Sequence, residues 1–214
     1  MKILKVLVAC EESQAVCIEF RKLGHEAYSC DLQECSGGHP EWHIIGDALI
    51  EAYSGKYDLM IGHPPCTYIS FAGMSSWNNP GRIELRLAAL DFFRKLWEAP
   101  IKYICLENPK SCASPVIAKY SQIIQPYYFG DRDYKTTWLW LKNLPLLTHS
   151  VDDNLFENKT HTLKPLPVSI DNTARKKPRY FTDGAHRDSK NRSKTFPGIA
   201  KAMAIQYSEF ILNT

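Results

Sequence analysis

The chain is predicted to fold as an α/β protein built on a parallel sheet. Three observations lead there: short apolar runs rich in β-branched residues, helix-period segments between them, and a proline or polar cluster closing nearly every run. At 214 residues it is long enough for one sizeable core. The composition is 44% hydrophobic and 23% charged, which excludes a disordered or fibrous class. No stretch nears the roughly 20 uninterrupted apolar residues of a membrane span, and MKILKVLVACEES is too short and too soon charged for a secretory signal. A cytoplasmic protein without a membrane partner is expected. Seven cysteines without framework spacing agree with a reducing compartment.

Residues 2–9, KILKVLVA, read as a buried strand. SQAVCIEFRKLG, 13–24, places Val16, Phe20 and Leu23 on one helical face, with Ser13 as N-cap and Gly24 as the stop. HEAYSCDL, 25–32, reads as a second strand ending at Asp31, which completes a βαβ unit. KYDLMIG, 56–62, is a further strand, stopped by Pro64 and Pro65. Residues 82–99 carry Leu85, Ala89, Phe92, Phe93 and Leu96 at helical spacing, with Pro100 beyond. IKYICLENP, 101–109, is the next strand, and TTWLWL after it another, with Trp138 and Trp140 as core side chains. Residues 148–190 lack periodicity and read as a small irregular lobe, and 197–213 as a closing helix. The domain reading is therefore a core over 1–147, a loop-rich lobe over 148–190, and a segment over 191–214 that returns to the core.

Ligands of open α/β sheets bind at the carboxyl ends of the strands. Four such ends carry reactive or polar residues: CEES, Asp31, HPPC and LENP. Prolines hold a backbone without needing a hydrogen-bond donor, so Pro64 and Pro65 suit a Cys66 that must be aimed as a nucleophile; the alternative is an incidental loop cysteine. Glu107 at the mouth of an apolar strand is expected to have a raised pKa, because desolvation disfavours its charge, and so to donate a proton near neutrality; the alternative is a cap.

PPC followed by ENP, downstream of a βαβ start, resembles the DNA (cytosine-5) methyltransferases, and a compact phage-type branch of them in particular. The resemblance implies a Rossmann-like class I sheet with a small C-terminal recognition lobe, S-adenosyl-L-methionine as cofactor and DNA as substrate, double-stranded with the target cytosine flipped out. It assigns Cys66 to attack carbon 6 and Glu107 to ring nitrogen 3, which makes carbon 5 nucleophilic. VLVACEESQAVCIEFRKLGHEAYSCDL is similar to the first cofactor loop and following strand, and IIGDAL to a later cofactor segment. Cofactor contacts are thereby implied for Ala9, Glu11, Ser13, Asp31, Asp47 and Pro64, and substrate contacts for Pro65, Asn108, Lys135 and Arg192. RSKTFPGIAKAMAIQY resembles the closing motifs.

The departures are specific. ACEESQ replaces a glycine-rich loop, and Asp133, Lys135 and Thr137 stand where the family has glutamine and two arginines. The recognition lobe is short, so sequence specificity is expected to be low or to come from a partner protein. Between Arg175 and Lys201 nine Lys or Arg residues face only Asp183 and Asp188, a segment that could dock a polyanion or simply be solvated. Cys30, Cys35, His39 and His43 have a spacing seen in zinc sites, but Cys30 reads as strand interior and no metal is assigned. A methyltransferase-fold module that binds nucleic acid or protein without turnover is the alternative to an active enzyme.

Overall fold

The computed structural model describes residues 2–149, 164–167, 169–170, 178–179 and 194–214. Nine strands and five α-helices are assigned among the described residues. They are β1 (Lys5–Ala9), α1 (Ala15–Lys22), β2 (Glu26–Asp31), β3 (His43–Ile45), α2 (Ala48–Ala52), β4 (Leu59–Gly62), α3 (Arg82–Glu98) and β5 (Tyr103–Pro109). The short α4 (Ala113–Val116), β6 (Gln122–Ile124), β7 (Thr137–Lys142), β8 (Ser169–Ile170), β9 (Pro178–Arg179) and α5 (Pro197–Leu212) follow.

Seven strands form one sheet in the order β3-β2-β1-β4-β5-β7-β6. From β3 to β5 all pairings are parallel, whereas β7 runs antiparallel to both β5 and β6. This is the Rossmann-like α/β sheet expected, with chain order reversing between β1 and β4. The reversal matters because the loops leaving β1 and β4 diverge to opposite faces there and leave a crevice between them.

Both faces of the sheet are covered, as the continuous apolar strands require. Along β1 the residues alternate between them. Val6 and Val8 pack with Val16, Phe20, Met203, Tyr207 and Ile211 of α1 and α5. Leu7 and Ala9 pack on the other side with Ala48, Ala52, Leu90, Phe93 and Leu96 of α2 and α3. Burying a side chain such as Phe20 or Phe93 contributes roughly 1.5–3 kcal/mol. Trp138 and Trp140 join the second cluster, Trp140 edge-on to Phe93 at 5.1 Å, which bears out their reading as core.

Several expectations need correction. Leu85 is 44% exposed, whereas Phe93 and Leu96 are buried as expected and Leu90 joins them. Leu23 is likewise exposed, since α1 ends at Lys22 and Gly24 turns the chain away at φ 83°. Ser13 is not the N-cap of α1; Gln14 holds that position without a side-chain cap bond. The edge strands β3 and β6, three residues each, and the helix α2 were not anticipated. No described helix is long and apolar enough to cross a membrane.

Candidate functional site at the reversal of the sheet

The first loop achieves without glycine a path that usually needs it. Cys10 and Gln14 both adopt left-handed backbone, each at φ 59°, a conformation that costs a side-chain-bearing residue about 1 kcal/mol or more. Side-chain bonds hold it there. Glu11 folds back over the start of α1, accepting from the Val16 amide at 2.7 Å and the Cys17 amide at 3.3 Å, and so supplies the cap that Gln14 does not. Gln14 accepts from the His39 amide at 3.0 Å and donates to the His39 carbonyl at 2.8 Å. Gly37 permits this closure: a Cβ there would lie 2.6 Å from the Ser13 carbonyl oxygen. Burial pushes the Glu11 carboxyl up, against the pull of His63 and the two amides.

Asp31 ends β2 half-buried, and its Oδ1 accepts from the Gln33 amide at 3.0 Å. Asp47 caps α2 through the Leu49 amide at 2.9 Å. Both carboxylates act on Cys10, whose thiol is driven far up, first by burial and then by their charge. The ends of β1, β2 and β3 therefore present two carboxylates around one thiol. Carboxylates accept hydrogen bonds from hydroxyl and amino groups, the donors that an adenosine moiety carries. That donor set fits the nucleoside part of the expected cofactor.

Across the crevice, the His63 amide donates to the Ala9 carbonyl at 2.9 Å and ties the end of β4 to β1. Pro64 is buried and Pro65 exposed. Cys66 is half-buried and opens a turn in which its carbonyl accepts from the amides of Ile69 and Ser70 at 3.2 and 2.9 Å. Asn108, 1% exposed, donates through Nδ2 to the Pro64 carbonyl at 2.7 Å. The Phe71 amide reaches Lys110, and the Cys112 amide reaches Ile69. The Cys66 loop is thus laced to the strand that carries Glu107. Asn108, expected to touch substrate, braces this loop in the interior.

Glu107 corrects the expectation about its pKa. Burial raises it, but a 3.2 Å contact from Oε2 to His63 Nδ1, the charge of Lys135 and a bond from Thr137 together hold the carboxyl below the usual range. Thr137 reaches it because Glu107 pairs with Leu139, which makes Thr137 its diagonal neighbour across the strands. Lys135 Nζ also lies 5.8 Å from the ring centre of Phe196. A narrow cleft collects Glu107, Lys135, Thr137, Lys194, Thr195 and Phe196, so the TFP segment before α5 meets Glu107. Arg192 and most of the basic segment lie outside the described residues.

No family model matches the chain, and no curated protein does. Solved structures similar to it include a prophage-encoded E. coli protein described as a DNA modification methyltransferase, 13% identical, with a TM-score of 0.47 over 70% of this chain and 52% of that one. Two structures of WbdD, a bifunctional kinase-methyltransferase, are 12% and 13% identical at TM-scores of 0.41 and 0.40. They match 69% of this chain and 38% and 36% of theirs. The chain spans about half the length of the first and less of the others.

The zinc-like spacing does not close into a cluster. Cys30 is buried in β2, His43 bonds Ser29 and the Gln33 carbonyl, and His39 stacks on Trp42 at 3.9 Å. An open cavity of about 360 Å³ lies away from the crevice, at the opposite ends of the strands, lined by Lys5, Glu26, Glu51 and Lys56 among others. None of the described predicted site residues lines it. Two residues were underread: His63, whose signal was its place directly after a strand at the reversal, and Glu11, whose capping role has no mark in the sequence beyond its distance from α1.

Proposed function

We propose that the chain transfers a methyl group from S-adenosyl-L-methionine to carbon 5 of a cytosine in DNA. The observation that carries this reading is the placement of Cys66 just beyond β4 and of Glu107 near the carboxyl end of the adjacent parallel strand β5, with the Cys66 loop joined to that strand by the Asn108 amide. An aromatic ring resists addition unless the charge that develops is met at once. Cys66 forms the bond to carbon 6, and Glu107 holds a proton at ring nitrogen 3. Bracing by Asn108 fixes the relative position of the two loops, which is where the rate gain of oriented groups arises. Asp31 and Asp47, with the loop from Ala9 to Ser13 and Pro64, would hold the cofactor, which supplies an electrophilic methyl group when bound.

The test is incubation with labelled S-adenosyl-L-methionine and cytosine-rich duplex DNA, beside Cys66→Ala, followed by digestion to nucleosides. Label in 5-methylcytosine that depends on Cys66 is expected; label that persists in the variant would sink the covalent mechanism. A second reading, a binding module without turnover, draws on Cys10 and Gln14 standing in left-handed backbone where the resembled family has a glycine-rich loop. Calorimetry that detects no binding of the cofactor would favour it.

A further inference from the structure

His63 is enclosed, with 9% of its side chain exposed, and it faces charged groups from three other parts of the chain. Glu107 of β5 lies 3.2 Å from Nδ1. Glu11 of the first loop acts on the ring as a second negative charge, and Lys135, just before β7, as an opposing positive one. The backbone is anchored to Ala9, so the ring sits at the reversal of the sheet. Nε2 is buried without a hydrogen-bond partner among the described residues, whereas Nδ1 faces Glu107 and is the nitrogen placed to exchange a proton within this site. Burial alone would discharge the ring, yet the bond and charge of Glu107 and the charge of Glu11 hold its pKa above the ordinary value. Glu107 moves the opposite way, as expected of two groups that share one proton.

A carboxylate cannot donate, so an ionised Glu107 has no proton of its own to give to a base. We propose that His63 is the proton donor that charges Glu107 in each turnover. The proposal rests on the cytosine reading above. The N–H bond at Nδ1 breaks and an O–H bond forms on Glu107. That proton then passes to ring nitrogen 3, leaving His63 neutral and the ring cationic, and addition of the Cys66 thiolate to carbon 6 neutralises the ring. When the adduct breaks down, the proton returns by the same path; loss of the carbon 5 proton is a separate step.

Two measurements test this. The first is imidazole ¹⁵N NMR of the wild-type protein without DNA, which is expected to show His63 doubly protonated at pH 6 and to lose that proton only above the ordinary histidine range. A neutral ring at pH 6 would overturn the proposal. The second is the pH profile of kcat for wild type, His63→Gln and His63→Arg. Glutamine should lower kcat on the order of 100-fold and remove the alkaline limb, with cofactor affinity changed less than about threefold. Arginine keeps the charge but cannot release a proton, so it should not rescue; rescue would reduce His63 to a counter-charge and overturn its role as donor. A wild type that methylates no DNA fails the cytosine reading itself, whereas activity with an unchanged alkaline limb in His63→Gln fails the histidine alone.

Discussion

The side-chain amide of Asn108 donates across 2.7 Å to the carbonyl of Pro64, joining two strand ends 44 residues apart in sequence. Both groups are buried, so the bond has no competing water, and it sets where the Cys66 loop stands relative to Glu107.

Asn108→Ala should therefore cost about 1–3 kcal/mol of stability, because it leaves the Pro64 carbonyl unpaired in the interior. Urea unfolding measures this. Its effect on kcat should exceed its effect on cofactor affinity, since the bond orients the Cys66 loop. Equal stability with unchanged kcat would mean that the loop is held by its other bonds alone.

The pairing of His63 with Glu107 gives stability a defined pH window. The folded pKa of His63 lies above its ordinary 6.5, so its contribution is complete below 6.5 and is lost as pH rises through the raised value. The folded pKa of Glu107 lies below its ordinary 4.5, so its contribution is complete above 4.5 and is lost as pH falls through the lowered value. The difference in unfolding free energy between wild type and His63→Gln should be greatest between pH 4.5 and 6.5 and shrink on either side. A difference that is flat with pH would show that no proton is shared.

Gly198 connects the last helix to the site. A Cβ there would collide with the Phe129 carbonyl oxygen and lie 2.8 Å from Asp131 Oδ2, the atom that accepts from the Gly198 amide. Backbone cannot yield as a flexible side chain does, so Gly198→Ala should destabilise by roughly 1–3 kcal/mol. Thermal unfolding should show a lower Tm. Because Thr195 and Phe196 lie just before it, activity should fall at temperatures where the protein is still folded.

The basic segment offers a separate test. Replacing Lys176, Lys177 and Arg179 by neutral residues should weaken DNA binding and flatten the plot of log affinity against log salt by roughly 0.9 for each phosphate that is no longer neutralised. Fluorescence anisotropy at several salt concentrations measures the slope. An unchanged slope would place the DNA-binding surface elsewhere.

Much of this was legible in the sequence because it is local. A short apolar run closed by a proline or a polar cluster reports a buried strand wherever it falls, so β1, β2, β4, β5 and β7 could be read directly, and with them the parallel sheet and the strand ends that carry Cys66 and Glu107. Gly24 and Pro100 marked helix ends for equally local reasons. Three-residue edge strands are too short to show a period, which is why β3 and β6 were missed.

Tertiary structure alone decided the rest. The direction of β7 depends on how the chain returns after β6, and no residue within the strand encodes it. The role of Glu11 follows from a loop that folds back on its own helix. The charge on Glu107 is a contest between desolvation and its neighbours. Burial is legible in the apolar run before Glu107, but His63, 44 residues away, and Lys135, brought in by the antiparallel strand, reverse the sign. Periodicity and turn chemistry are properties of neighbouring residues, whereas an electrostatic balance belongs to every group within a few ångströms, and only the folded chain determines which groups those are.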